Sequence, residues 1–122
     1  MSDSRHFAQV LIVDDDREFA GDLTGFLSNR YEVHCVHTGP EAVQRARAVR
    51  PDVVLLDIDL GCDPNGFAVL ELLRTGKNPP PVIMLTGTRS GDIASVVRSV
   101  KSGAYDYVNK PPNMAELIQR ID

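Results

Sequence analysis

Four aliphatic-led segments of this 122-residue chain each end in residues that carry charge or a hydroxyl group. They are Val10–Val13 before Asp14 and Asp15, Val53–Leu56 before Asp57, Val82–Leu85 before Thr86, and Tyr105–Asn109 before Lys110. Short aliphatic runs of this kind, bounded by turn residues, are typical of buried β-strands. If the four are parallel strands of one sheet, three carboxylates, a hydroxyl and an ammonium meet at one rim, because the carboxyl ends of parallel strands lie at the same edge.

The segments between these strands have helical periodicity. A first helix is predicted over Arg17–Asn29, with Asp16 as its cap and one apolar face that we expect to be buried, formed by Phe19, Leu23, Phe26 and Leu27. Thr38-Gly39-Pro40-Glu41 predicts a capping box at the start of the second helix. A more polar strand, Tyr31–Val36, suits a sheet edge.

Five strand–helix pairs predict an α/β fold with a doubly wound parallel sheet and helices on both faces. The third strand is the most aliphatic and the second the most polar, which favours the order 2-1-3-4-5. In that order the first and third strands are neighbours across the switch in strand order, so Asp14 and Asp15 would face Asp57.

The predicted rim has a specific chemistry. Three clustered carboxylates, from Asp14, Asp15 and Asp57, repel one another unless a cation intervenes. Hard oxygen ligands favour Mg²⁺ or Mn²⁺, and Mg²⁺ in proteins commonly keeps a place for a phosphate oxygen. Lys110 and Thr86 would then satisfy two further phosphoryl oxygens.

Each of these residues also has an ordinary structural interpretation. The acidic residues after the first strand could cap a helix, Asp57 could begin a turn, Thr86 could simply end a strand, and Lys110 could be a solvated charge. The functional interpretation depends on all of them falling at strand ends in a consistent register.

Composition restricts the class of protein. With 43% apolar and 25% charged residues the chain has the make-up of one globular domain. No apolar run approaches the roughly 20 residues that span a bilayer, and the first residues lack a signal-peptide core, so we expect no membrane association and a cytoplasmic location. A net charge of −4 argues against direct nucleic-acid binding. Two cysteines of unlike context, Cys35 in an apolar stretch and Cys62 in a loop, indicate no disulfide framework.

The chain resembles the receiver domain of two-component response regulators, including the chemotaxis regulator, from about Val10 to its end. Four motifs carry the resemblance: LIVDDD (Leu11–Asp16), VVLLD (Val53–Asp57), IMLTG (Ile83–Gly87) and GAYDYVNKPP (Gly103–Pro112). The resemblance implies a flavodoxin-like receiver fold over residues 1–122. The last predicted helix, Met114–Asp122, is short, which is compatible both with excision from a longer regulator and with a stand-alone receiver.

The resemblance also implies a role for each site residue. Asp57 would accept a phosphoryl group, Asp15 would bind Mg²⁺ directly and Asp14 through water, and the backbone carbonyl of Asp59 would add a ligand. Thr86 and Lys110 would hold the phosphoryl oxygens. Tyr107 would be the aromatic switch residue that turns inward when Thr86 shifts, and the Lys110–Pro111 peptide bond would be cis.

A receiver of this kind is a signalling switch that catalyses only its own phosphorylation and dephosphorylation. The implied partners are a sensor histidine kinase or phosphotransfer protein and an output domain or effector. The face that changes would be formed by the fourth predicted helix, the fifth strand and the fifth predicted helix. Many members of the family also form homodimers through that face when phosphorylated.

Several features depart from the common family pattern. The loop before Gly66 is one residue longer, the interval from Thr86 to Lys110 is two residues longer, and Pro112 replaces a frequent aromatic residue. Two further departures lie close to Asp57. Leu60-Gly61 stands where a Met-Pro pair is frequent, and Asp59 adds a carboxylate near the phosphoryl position. These departures leave the phosphoryl lifetime open.

Three other interpretations compete. Asp57-Ile58-Asp59 resembles the haloacid dehalogenase phosphatase motif, but the acidic pair precedes it here and no cap segment is available. A flavodoxin-type nucleotide site would need a phosphate-binding glycine-rich loop where three aspartates stand. A receiver-like scaffold without phosphorylation would not need the full set of site residues.

Overall fold

The computed structural model describes residues 8–61, 65–86, 101, 103–110 and 112–121. Its five strands are β1 (Gln9–Val13), β2 (Glu32–Val36), β3 (Val53–Asp57), β4 (Val82–Thr86) and β5 (Asp106–Asn109). Its four described helices are α1 (Arg17–Leu27), α2 (Gly39–Val49), α3 (Gly66–Arg74) and α4 (Met114–Ile121). The predicted fourth helix, between β4 and β5, lies outside the described residues except for Lys101. Cys62 and Pro111 also lie outside them, and α4 is the predicted fifth helix.

The described strands form one parallel sheet in the order β2-β1-β3-β4-β5, which confirms the predicted order. All residues of β3 are buried, as expected for a central strand covered on both faces. In β2 only Val36 is fully buried, in keeping with its position at the edge.

Alternate residues of the strands face two separate cores, because successive side chains of a strand point to opposite faces. On one face Leu11, Val54 and Met84 pack with residues of α2 and α3. On the other face Ile12, Leu55 and Ile83 pack with residues of α1 and α4. The helices thus cover both faces of the sheet and leave its rim of carboxyl ends for the loops.

The predicted starts of α1 and α2 are confirmed. Asp16 Oδ1 accepts a hydrogen bond of 3.1 Å from the Phe19 N–H and caps α1. At α2, Thr38 Oγ1 accepts from the Glu41 N–H at 3.3 Å and its hydroxyl donates to Glu41 Oε1 at 3.0 Å. The short Asp16 cap places α1 directly after the acidic residues of the β1 loop, which fixes their position relative to the sheet.

The core prediction for α1 was wrong in one position. Phe26 is half exposed, whereas Ala20, Leu23 and Leu27 are buried. Ala20 and Leu27 lie seven positions apart on the stripe that meets the sheet, while the larger Phe26 lies beside it. Burial in α1 therefore depends on which side of the helix faces the sheet, and not on the size of the side chain.

The last helix, α4, packs its fully buried Leu117 into the core that it shares with α1. On its polar side the Arg120 guanidinium is paired with the Asp106 carboxylate of β5. This helix covers β5 and therefore lies next to the strand that leads to Lys110. Among the described helices, none is both long and apolar enough to cross a bilayer.

Candidate functional site

The parallel register brings the acidic strand ends together. Val13 at the end of β1 pairs with Leu56 of β3, so the next residues, Asp14 and Asp57, are neighbours across the two central strands. β4 and β5 are paired through Thr86 and Asn109, which places Lys110 one residue beyond the same rim. Asp14, Asp57 and Lys110, which are far apart in the sequence, therefore lie at the same edge of the sheet.

The three carboxylates of this rim form a compact group. Asp14, Asp15 and Asp57 each offer one carboxylate oxygen, and these oxygens all lie within 4.8 Å of one another. Asp14 is 0% exposed and Asp57 is 5% exposed, whereas Asp15 is open to solvent. Two of the three carboxyl groups are thus removed from water, where an ionised carboxylate is costly unless a cation or a proton neutralises it.

Lys110 supplies part of that compensation. Its Nζ lies 2.6 Å from Asp14 Oδ2 and 3.4 Å from Asp57 Oδ1. It also lies 4.5 Å from the centroid of the Phe19 ring, in the range of a cation–π contact. Burial by itself lowers the pKa of Lys110, but the hydrogen bond to Asp14 and the charges of Asp57 and Asp14 outweigh it and raise that pKa above its ordinary value.

The electrostatic environment of Asp57 is unusual for an aspartate. Burial, followed by the repulsion of Asp14, raises the pKa of Asp57 from 3.8 to about 7, against the opposing effect of the Lys110 ammonium. A carboxyl with such a pKa is ionised only in part near neutral pH. A further cation beside it would favour the ionised form.

The loop after β1 holds Asp14 firmly. Asp14 Oδ1 accepts a hydrogen bond of 2.9 Å from the Asp16 N–H. His37 Nδ1, at the end of β2, lies 2.9 Å from the backbone carbonyl oxygen of Asp14. A carbonyl oxygen can only accept, so the proton of this imidazole bond is on Nδ1. The backbone of the acidic loop is thereby tied to the edge strand.

The described first part of the loop after β3, residues 58–61, is held by hydrogen bonds of its own. Asp59 Oδ1 accepts a hydrogen bond of 3.0 Å from the Gly61 N–H, so the carboxylate of Asp59 closes a turn of its own loop. The Asp59 N–H lies 3.4 Å from Asp57 Oδ1. Gly66 begins α3 against the backbone of β3, where an added Cβ would lie 2.2 Å from the Asp57 carbonyl oxygen.

The structure therefore brings together four of the predicted site residues, namely Asp14, Asp15, Asp57 and Lys110. Tyr107 is half-buried and packs against the core shared with α2 and α3. The side chain of Thr86 lies outside the described part of the structure, so its predicted contact is not described here.

Two residues that contact the site were not predicted from the sequence. Phe19 was assigned to the apolar face of α1, yet its ring lies beside Lys110. His37 belongs to none of the four motifs. The one sequence signal for it was its position directly after β2, the strand predicted to lie beside β1. Both residues act through tertiary contacts that sequence spacing does not encode.

The residues present fit a divalent cation of the Mg²⁺ type. The donors are carboxylate oxygens from three different positions, one exposed and two buried, and they lie at the end of a rigid sheet. Hard oxygen donors of this number and charge favour Mg²⁺ or Mn²⁺ over softer metals.

Comparisons with known proteins agree with this geometry. The family model of the response regulator receiver domain matches residues 10–122. The chain is 37% identical over 114 residues to the DNA-binding response regulator MtrA of Mycobacterium tuberculosis (strain ATCC 25618 / H37Rv), an alignment that covers 93% of this chain and 48% of MtrA. It is 34% identical over 110 residues to the regulatory protein AtoC of Escherichia coli (strain K12), covering 89% of this chain and 23% of AtoC.

Solved structures show the same similarity. A putative response regulator from Chloroflexus aurantiacus superposes with a TM-score of 0.86 at 32% identity, with 93% of each chain covered. The receiver domain of NtrX from Brucella abortus superposes with a TM-score of 0.82 at 30% identity, with 90% of this chain and 92% of the other covered. The chain thus spans half or less of the length of the curated relatives, but nearly all of an isolated receiver domain.

Proposed function

This chain belongs to the response regulator receiver domain family, and on that premise we propose that it is a phosphorylation-dependent switch with Asp57 as the phosphoacceptor. The observation that carries the proposal is the position of Asp57. Its carboxylate lies buried at the rim of the sheet, beside two further carboxylates and one ammonium group. A purely structural aspartate would not need three charged neighbours, two of them repulsive.

In the proposed reaction a carboxylate oxygen of Asp57 attacks the phosphorus atom of a phosphohistidine. The bond from phosphorus to the imidazole nitrogen breaks, and that nitrogen keeps the electron pair. The attacking carboxyl must be ionised, yet burial and Asp14 raise the pKa of Asp57 to about 7. A cation held beside Asp57 would favour the ionised form of this nucleophile and would offset the negative charge of the incoming phosphoryl group.

Asp14, Asp15 and Asp57, together with the backbone carbonyl of Asp59, would hold that cation. Mg²⁺ would supply charge neutralisation and a fixed point for a phosphoryl oxygen, and Mn²⁺ could replace it. The exposure of Asp15 supports a direct ligand role. For Asp14 the family resemblance implies a role through water, and its carboxylate is already paired with Lys110.

Lys110 and Thr86 would hold the remaining phosphoryl oxygens. Lys110 Nζ already lies 3.4 Å from Asp57 Oδ1, so a small movement would bring it to a phosphoryl group on that oxygen. The Phe19 ring limits where the ammonium can go. Positioned charges of this kind are the main source of catalysis in phosphoryl transfer.

The proposed response to phosphorylation is a rearrangement of Thr86 and Tyr107. Tyr107 lies on β5, whose backbone pairs with β4, and its side chain is half-buried. In the proposed switch the Tyr107 ring would occupy an inward position in one state and an outward position in the other. The surface of the fourth predicted helix, β5 and α4 would then differ between the two states.

The proposed partners are a histidine kinase or phosphotransfer protein that donates the phosphoryl group, and an output domain or effector that responds to it. Homodimerisation of the phosphorylated form is a further proposed response. Relatives named as DNA-binding response regulators are about twice as long as the matched segment. We therefore assign any contact with nucleic acid to a separate output domain and none to this acidic segment.

The phosphoacceptor is tested by mass spectrometry after incubation with a small acyl phosphate and Mg²⁺. We expect one added phosphoryl group on the wild type, none on Asp57→Asn and none in the presence of excess chelator. Asp52→Asn is the matched control, because Asp52 is an exposed aspartate at the other end of the same strand. Full labelling of Asp57→Asn, or labelling unaffected by the chelator, would contradict the proposal.

The switch is tested by ¹⁹F NMR of fluorotyrosine-labelled protein, since the chain has three tyrosines. Phosphorylation should shift the Tyr107 signal. Tyr31, which is 6% exposed in the core, and Tyr105, which is 69% exposed, serve as internal controls. A Tyr107 signal that stays in place in fully phosphorylated protein would show that this ring is not the switch.

The phosphatase interpretation is disfavoured by the family match and by the order of the motifs. It predicts turnover of a phosphate ester with Asp59 essential. Lack of turnover together with stable labelling of Asp57 separates the two functions.

A further inference from the structure

The loop after Asp57 contains a glycine with an unusual backbone. Gly61 has φ +75°, in the left-handed region that residues with a side chain rarely adopt. Its N–H donates to Asp59 Oδ1, and the preceding Leu60 is 2% exposed in the core shared with α2 and α3. The turn is therefore anchored on the N-terminal side of Gly61, by the hydrogen bond to Asp59 and by the buried leucine.

Gly61 faces the carboxylate of Asp15 at very short range. A Cβ at Gly61 would lie 2.8 Å from Asp15 Oδ2 and 3.9 Å from its Cγ, with no other heavy atom of the described residues within 4 Å. Asp15 is exposed and its side chain is short, so the carboxylate would move before the anchored turn did. The space left by the missing side chain is thus occupied by one carboxylate.

From this contact we propose that Gly61 is a positioning residue for the cation site, because its lack of a side chain allows Asp15 to approach Asp14 and Asp57. The inference rests on the proposed function. The three carboxylate oxygens lie within 4.8 Å of one another, and Mg²⁺ requires near-ideal octahedral geometry. A displacement of Asp15 by several tenths of an ångström therefore weakens binding.

A proline, which is frequent at the position of Gly61 in the family, has φ near −65° and cannot adopt the observed φ of +75°. The backbone at Gly61 therefore differs from that of a loop with proline at this position, and an added Cβ would lie against Asp15.

The test compares Gly61→Ala and Gly61→Asn with the wild type in the intact chain. Mg²⁺ affinity is measured by calorimetry, and stability without metal by urea denaturation in a chelator. Both variants should weaken Mg²⁺ binding about tenfold, the scale of lost support around a metal site. Asn tolerates positive φ better than Ala, so equal losses of affinity identify the Cβ rather than backbone strain as the cause.

A second set of variants isolates the contact with Asp15. Gly61→Ala is combined with Asp15→Ala, and the affinity for Mn²⁺ is measured through the relaxation of water protons, which reports weak binding. With Asp15 truncated, Gly61→Ala should cause no further loss. Gly76→Ala is the control, because a Cβ at Gly76 meets nothing within 4 Å, and it should bind Mg²⁺ as the wild type does.

Wild-type affinity in Gly61→Ala would overturn the inference, and so would a loss that persists in the Asp15→Ala background. A wild type that binds no Mg²⁺ would overturn the proposed function as well. If the wild type binds Mg²⁺ and Gly61→Ala binds it equally well, this inference alone is overturned.

Discussion

The Lys110 ammonium lies closer to Asp14 than to Asp57, at 2.6 Å from Asp14 Oδ2 and 3.4 Å from Asp57 Oδ1. Asp14 is fully buried, so without a bound metal this ammonium is the main compensation for a charge that has no access to water. The ammonium is farther from Asp57, the proposed nucleophile, and so compensates its charge less. The site thus holds one carboxylate strongly paired and leaves the other available to an incoming cation.

Lys110→Met should destabilise the metal-free protein by about 2–3 kcal/mol. The reason is that Asp14 would remain buried without its closest cation; a fully buried pair would cost about 3–5 kcal/mol, and Lys110 keeps some exposure. Urea denaturation in a chelator measures the change. Lys77→Met, at an exposed position away from the site, should have little effect, and a Lys110→Met variant as stable as the wild type would refute the pairing.

The stability of the metal-free protein should depend on pH through Asp57. The pKa of Asp57 is raised from 3.8 to about 7, so between these values the folded protein binds more protons than the unfolded chain. The free energy of unfolding should therefore fall as the pH rises from about 4 to about 7, where folded Asp57 loses its proton, and should level off at higher pH. Asp57→Asn should remove this contribution.

Denaturation of both proteins in a chelator at several pH values measures the effect, because the difference between them isolates Asp57 from other titrating groups. Asp52→Asn is the control for the loss of one carboxyl group at an exposed position. If the difference between wild type and Asp57→Asn were constant with pH, the raised pKa of Asp57 would be wrong.

Gly66→Ala should destabilise the protein by about 1–3 kcal/mol or more, since the added Cβ would lie 2.2 Å from the Asp57 carbonyl oxygen and 2.6 Å from Ile58 Cα. These are backbone atoms of a central strand and cannot move cheaply. Gly21→Ala is the matched change inside α1, where nothing lies within 4 Å, and should stabilise by about 0.5–1 kcal/mol. Thermal denaturation compares the two, and equal effects would contradict the packing at Gly66.

Leu117→Ala should cost about 2–5 kcal/mol, because this side chain is fully buried between α4 and the sheet. Arg120→Ala should cost much less, although it removes the pair with Asp106, because exposed ion pairs contribute little. Chemical denaturation of the two variants ranks the contacts that hold α4. A larger loss for Arg120→Ala would mean that the ion pair, and not the apolar core, holds this helix.

Much of the architecture could be predicted because the local patterns agree with the tertiary fold. The aliphatic run Val53–Leu56 predicted a strand buried on both faces, and the polar Tyr31–Val36 predicted an edge; β3 and β2 have these positions. The caps at Asp16 and Thr38 involve residues within three positions of each other, so they too were visible in the sequence.

The contacts that shape the site could not be predicted in the same way. The side chain of Phe19 has the same apolar character whether it faces the core or Lys110, and Gly61 has no side chain whose type could indicate Asp15 as its neighbour. Phe26 was expected to be buried and is half exposed. In each case the outcome depends on the direction in which one element approaches another.

By itself, the sequence determined which residues end the strands and in which order the strands lie, because hydrophobic periodicity and turn residues act over short distances along the chain. Only the tertiary structure decided that Lys110 is closer to Asp14 than to Asp57, that burial raises the pKa of Asp57 to about 7, and that Gly61 lies against Asp15. These properties depend on distances and on exclusion of water between segments remote in the chain, which spacing along the sequence does not specify.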